Sequence, residues 1–204
     1  MIRLYTHIFI LAIILTAAGT TEKAKTFTDF ETIAIASPMV AQIYTNPKLS
    51  KFEDVRLSPD NQIKLYENLS DNICQNLIKR FEGQVDFLCY KDIKNRLRDA
   101  DNWNEFNRCF NGQSHAPLEI CSTYSEKLKA DGVMNLYLMF SYYKNDDHTN
   151  HLDVHFEWYL LDLETGQSAF SDKYDCHDDF PELSDDIDRE YKCFDGISQY
   201  FNEF

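Results

Sequence analysis

Four residues at every second position carry the best prospect of chemistry in this chain: His151, Asp153, His155 and Glu157. In a β-strand, residues two apart share one face. Imidazoles and carboxylates on a common face could hold zinc or another divalent cation, which makes His151, Asp153 and His155 the metal candidates. A secreted metal-assisted hydrolase is the enzymatic reading of that set. The same alternation also suits a half-buried strand with a solvated outer face, because Leu152, Val154, Phe156 and Trp158 occupy the opposite side. The second reading is adopted, with no cofactor and no catalytic residue assigned.

Other chemistry is sparse. No G-x-S-x-G, G-x-G-x-x-G or P-loop occurs, and only six Gly are available to cradle phosphates. Asp175, His177, Asp178 and Asp179 begin an acidic run that continues to Asp185, Asp186 and Asp188. Calcium loops need a Gly at the turn; this stretch has none and contains Pro181, so it reads as solvated charge. The chain is expected not to be an enzyme. Asn68-Leu69-Ser70 is a glycosylation acceptor sequence, relevant only in a eukaryotic source.

The N-terminus explains the cysteines. Arg3 precedes an apolar run over Ile8–Ala18, and small residues follow at Ala17, Ala18 and Gly19. That is the layout of a secretory signal peptide, and its apolar part is shorter than the roughly 20 residues a membrane span needs. Residues 1–19 are read as the signal and 20–204 as one extracytoplasmic domain, periplasmic or secreted, with no stable membrane anchor after cleavage. No Cys precedes Cys74, so a lipid-attachment site is not expected. The six Cys are 74, 89, 109, 121, 176 and 193, an even number in an exported chain. They suggest up to three disulfides, for which 15 connectivities exist. Nearest-neighbour pairing gives Cys74–Cys89, Cys109–Cys121 and Cys176–Cys193. The first is supported by heights: a helix rising from Cys74 and a strand returning to Cys89 bring them level.

The formal net charge is −14, and losing Arg3 with the signal takes it to −15. Such an acidic protein repels nucleic acid and anionic membrane and favours basic partners.

The elements that position these residues follow from periodicity. Thr28–Ser37 reads as the first strand, and a long connection runs over Met39–Leu57. Ser58-Pro59 starts a helix in which Ile63, Tyr66, Ser70, Ile73 and Leu77 recur at three- and four-residue steps, as far as Phe81. Val85–Tyr90 is a short strand. Asp92–Leu97 begins a helical turn, Asp99–His115 is a polar stretch, and Pro117 opens a helix ending at Asp131-Gly132. Three strands follow, over Val133–Tyr143, Leu152–Leu163 and Ser168–Tyr174, with a tight turn at Asp162–Gly166. Ser184 caps a last helix after the acidic run. The order β-α-β-α-β-β-β-α predicts an α/β (α+β) fold: a single mixed sheet with helices packed on it, a parallel opening unit and an antiparallel close.

Three stretches add a resemblance. Thr32–Ser37 (TIAIAS), Glu67–Leu97, and Lys129–Met134 (KADGVM) taken with Asp162–Phe170 (DLETGQSAF) resemble, in this order, bacterial envelope domains related to the curli secretion protein CsgG, the penicillin-binding-protein activator LpoB and the TolB N-terminal domain. The resemblance implies a periplasmic α/β domain that binds another cell-envelope protein without catalysis. A secreted, disulfide-stabilised effector or inhibitor is the remaining alternative.

Overall fold

Alternating apolar residues mark two long strands at the centre of the sheet and a third along its edge. The computed structural model describes residues 25–44, 59–144, 150–180 and 195–201. A 3-10 turn at Phe27–Asp29 leads into β1 (Thr32–Ile35) and β2 (Met39–Tyr44). Then come α1 (Pro59–Arg80), β3 (Asp86–Leu88), α2 (Tyr90–Arg96), α3 (Ala100–Phe110) and α4 (Leu118–Leu128). The chain closes with β4 (Gly132–Lys144), β5 (Asn150–Asp162), β6 (Gln167–Phe180) and a helical segment, α5, over 195–201. One mixed sheet results, in the order β3-β1-β4-β5-β6, with β2 also paired to β4.

The expected α/β architecture is present. β1 runs parallel to both β3 and β4, and β4-β5-β6 form an antiparallel meander. Two boundaries differ from the sequence reading. The first strand is only Thr32–Ile35, and Met39–Tyr44 forms a strand where a connection is expected. Pro38 has no N–H to give a ladder, so the extended chain breaks there and resumes on the same edge of β4. β1 ends its pairing at Ile35↔Met134, and β2 takes over from Met39↔Tyr137. The polar stretch after Asp99 is likewise a helix, α3, capped by the Asp99 carboxylate, which accepts from the Asp101 amide at 3.0 Å.

The sheet carries a core on each face. Met134, Leu136, Leu138 and Phe140 of β4 and Leu152, Val154, Phe156, Trp158 and Leu160 of β5 face α1 and α5. Val133 and Leu161 face α2, α3 and α4, against Phe106, Phe110 and Tyr124. α5 is tied to α1 by Asn76, whose Nδ2 donates to the Ser198 carbonyl at 2.8 Å. Ser70 is buried and donates to Ala36 O at 3.0 Å, so the acceptor sequence at Asn68 lies in a helix with its hydroxyl engaged.

Two aspartates hold the motifs of the third resembling stretch. Asp131 accepts from the amides of Glu31 and Thr32 at 2.9 and 2.8 Å, which fixes the start of β1 beside β4. Asp162, almost fully buried, accepts from Lys25 at 2.7 Å and from the Glu164 amide at 2.9 Å. Gly166 closes the turn at φ +70°.

Candidate functional site

β5 keeps the predicted alternation. Leu152, Val154, Phe156 and Trp158 are buried in the first core, while Asp153, His155, Glu157 and Tyr159 are half-exposed on the outer face. His151 departs from it: it is 6% exposed, although it lies on the outer face, and its ring stacks on His177 at 5.6 Å.

What the sequence reading missed is the contribution of β6. The acidic run after Asp172 is expected to be a loop, yet β6 continues through it to Phe180. Its residues complete a ladder: His155 stands opposite Asp175, Asp153 opposite His177, and Glu157 opposite Lys173. Each pair sets a basic or ionisable nitrogen against a carboxylate, the favourable arrangement across strands. His155 Nδ1 lies 2.5 Å from Asp175 Oδ1, and His177 Nδ1 contacts Asp153 Oδ1. An ionised carboxylate only accepts, so both imidazoles donate through Nδ1.

A one-residue irregularity creates this pairing. Asp162↔Gln167 and Leu161↔Ser168 follow the turn directly, but the next pair is Leu160↔Phe170. Ala169 is the extra residue of a β-bulge. Without it His155 would meet Tyr174, and every β6 side chain beyond would change faces. The signal legible in advance was the alternation of Lys173, Asp175 and His177, but nothing in it announces the bulge.

The ladder's donors pair off rather than converge. Among the described residues no group of three or more His, Cys, Asp or Glu side chains is gathered as a metal ion would require. Same-face neighbours on a strand stand roughly 6.6 Å apart, and His155 and His177 each commit Nδ1 to a carboxylate. His151, Asp153 and His155 therefore lie on one strip, with His155 Nε2 3.9 Å from Glu157 Oε2. Of the other acidic candidates, Asp175 and His177 belong to this ladder, Asp178 and Asp179 lie in β6, and Asp185, Asp186 and Asp188 are outside the described residues.

The strip continues into an apolar half. Tyr137 and Met139 of β4 are half-exposed on the same face, and Met39 of β2, opposite Tyr137, is 42% exposed. Tyr159 marks the seam. Burial first, and then hydrogen bonding to Glu157, push its hydroxyl up to about 12.

The cysteines take three different positions. Cys74 and Cys89 form a disulfide between α1 and the end of β3, with Cα atoms 5.5 Å apart, as their heights suggest. Cys109 and Cys121 stand as separate thiols on α3 and α4. Cys176 packs against the first core, and its expected partner Cys193 lies outside the described residues, as does the signal over 1–19. No helix among the described residues is long and apolar enough to cross a membrane.

No protein-family model matches the sequence, and no curated protein is similar to it. Solved structures share its arrangement loosely. The lipoprotein GNA1162 from Neisseria meningitidis is 6% identical over 81% of this chain and 99% of its own, with a TM-score of 0.43. The LpoB C-terminal domain from Salmonella enterica is 13% identical over 72% of this chain and 82% of its own, with a TM-score of 0.34. A neuraminyllactose-binding hemagglutinin homolog from Helicobacter pylori is 11% identical, covers 89% of this chain and 82% of its own, and has a TM-score of 0.36.

Proposed function

We propose that the chain is a non-enzymatic accessory protein of the cell envelope, and that it binds another envelope protein through the open part of its outer sheet face. One observation carries the reading. Burial of that face stops part-way along the strands: Val133, Asn135 and Leu161 are covered, whereas Tyr137, Met139, His155 and Glu157 are half-exposed. The result is a broad strip, apolar on β2 and β4 and ionic on β5 and β6.

Such a strip suits recognition better than catalysis. Catalytic sites gain from cavities that exclude water, whereas Tyr137, Met139, His155 and Glu157 stay half-exposed to solvent. Its two halves offer an apolar core beside a charged margin, the composition of a protein-binding surface. The acidic excess of the whole chain favours a partner with Lys or Arg around an apolar centre. The envelope assignment is supported by the signal-like leader, by the resembling stretches, and by the Cys74–Cys89 bridge, a bond that persists in oxidising compartments.

A photo-crosslinking residue placed at Met139, with a control at exposed Lys129, tests the reading in the native host. The expected outcome is one discrete crosslinked envelope protein from position 139 and none from position 129. Equal products from both positions, or none at 139, would overturn it. Fractionation of the same cells should place the mature chain in the periplasm or medium.

A further inference from the structure

α3 and α4 form a hairpin packed through aromatic rings. Tyr124 meets Phe106 and Phe110 with ring centroids 5.4 and 5.6 Å apart. Cys109 lies on α3 against this cluster and Cys121 lies on α4 within it. Their environments differ sharply. Cys109 is half-buried and lines an open cleft of about 590 Å³ together with Arg108, Gln113, His115, Ala116 and Thr165. Cys121 is wholly buried, and its thiol donates to the Ala116 carbonyl, 3.7 Å away on the cleft's wall. The accessible thiol thus lines the same cleft as Ala116, the residue whose carbonyl the hidden thiol contacts.

We infer that Cys109 and Cys121 form a thiol–disulfide exchange site, with Cys109 as the entry thiol for small disulfides and Cys121 as the resolving thiol. The order follows from access. A reagent entering the cleft meets Cys109 and cannot reach Cys121. Burial also holds the Cys121 thiol above its ordinary pKa, which keeps it protonated at rest.

The step balances as written for a disulfide RSSR. The Cys109 thiolate attacks one sulfur, forming a mixed disulfide and releasing RS⁻, which takes up the proton Cys109 has lost. Cys121 then gives up its proton and attacks Cys109 Sγ, expelling the second RS⁻, which is protonated in turn. The protein loses two hydrogens and gains one S–S bond, and RSSR is reduced to two RSH.

The bridge would also have a mechanical effect. It would close the loop between α3 and α4, whose Gln113 carbonyl accepts from Asn135 and whose Ala116 amide donates to Gly166 O. That loop would then be clamped at both ends against β4 and the β5–β6 turn.

One tryptic fragment, residues 109–127, contains both thiols, because cleavage falls after Arg108 and Lys127. The full-length protein is reduced without unfolding, incubated with oxidised glutathione, blocked by alkylation and digested. The wild-type fragment is expected to be two hydrogens lighter and to carry neither alkyl group nor glutathione. Cys121→Ser should trap a single glutathione on Cys109. Cys109→Ser should leave Cys121 unmodified until the protein is denatured. A wild-type fragment alkylated at both positions after oxidation overturns the inference whatever the variants do. Glutathione on Cys121 in native Cys109→Ser overturns the assigned order.

Discussion

A Cβ at position 166 would lie 2.4 Å from the carbonyl oxygen of Ala116, in a backbone held at φ +70°. Both constraints come from one turn. Gly166 donates to Asp162 O at 2.8 Å, and its own carbonyl accepts from Ala116 N at 2.9 Å, so the β5–β6 turn also anchors the segment before α4. Neither side can retreat without losing a buried hydrogen bond. Gly166→Ala should therefore cost about 3 kcal/mol, the sum of left-handed strain and overpacking, and urea unfolding would read it as a lower midpoint with an unchanged slope. The turn was legible as Asp-Leu-Glu-Thr-Gly, since its Gly needs positive φ. The contact with Ala116 was not, because it joins residues 50 apart in sequence, 116 to 166, through tertiary packing alone.

Elements were legible where their period was clean. α1 runs from Pro59 to Arg80, as its three- and four-residue spacing requires, and β4 and β5 match their alternation to within a few residues. α3 is hard to read from sequence because Ala100–Phe110 is rich in Asp, Asn and Glu, which dilute a narrow apolar stripe. The stripe is there: Trp103, Phe106 and Phe110 are three and four residues apart, and Phe106 and Phe110 are fully buried. Asp99 starts the helix by satisfying an amide that has no partner within it. Asp99→Ala should lower stability by about 1 kcal/mol, with hydrogen exchange accelerated first at Asp101 and its neighbours. β2 is hidden for a different reason. Its strand character depends on β4 offering a free edge beyond Met134, which local sequence does not encode. β6 was cut short because acidic residues suit solvent; the ladder with His155 and His177 shows why they also suit an edge strand.

At the scale of the whole molecule, tyrosine ionisation links the helical layers to the sheet. Tyr90, Tyr124, Tyr159 and Tyr200 all have hydroxyls pushed above the ordinary value of 10, first by burial and then by hydrogen bonds to Glu67, Glu105, Glu157 and Asp172. They are spread over α2, α4, β5 and α5, so every packed layer contains one. The carboxylate partners add to burial in the same direction, because an anionic phenolate beside a carboxylate is repelled. The sign follows from linkage. A group whose folded pKa is raised stabilises the fold fully below its unfolded value, and that stability is lost as pH rises through the folded value. Lys25 acts in the same sense: its hydrogen bond to Asp162, opposed by desolvation, leaves its ammonium above the ordinary 10.5. These groups should therefore leave stability unchanged as pH rises towards about 10, where tyrosine in an unfolded chain titrates, and lower it steeply above that. The measurement is tyrosinate absorbance followed alongside far-ultraviolet circular dichroism in one alkaline titration. A subset of the 12 tyrosines should stay protonated past pH 10 and then ionise together with the loss of secondary structure. Tyr159→Phe should remove one late proton near pH 12 and move the unfolding transition only slightly to higher pH, because Tyr159 is half-exposed at the seam of the outer face. If all the tyrosines ionised near pH 10 while the circular dichroism was unchanged, the hydrogen bonds from Tyr90, Tyr124 and Tyr200 would not hold in solution.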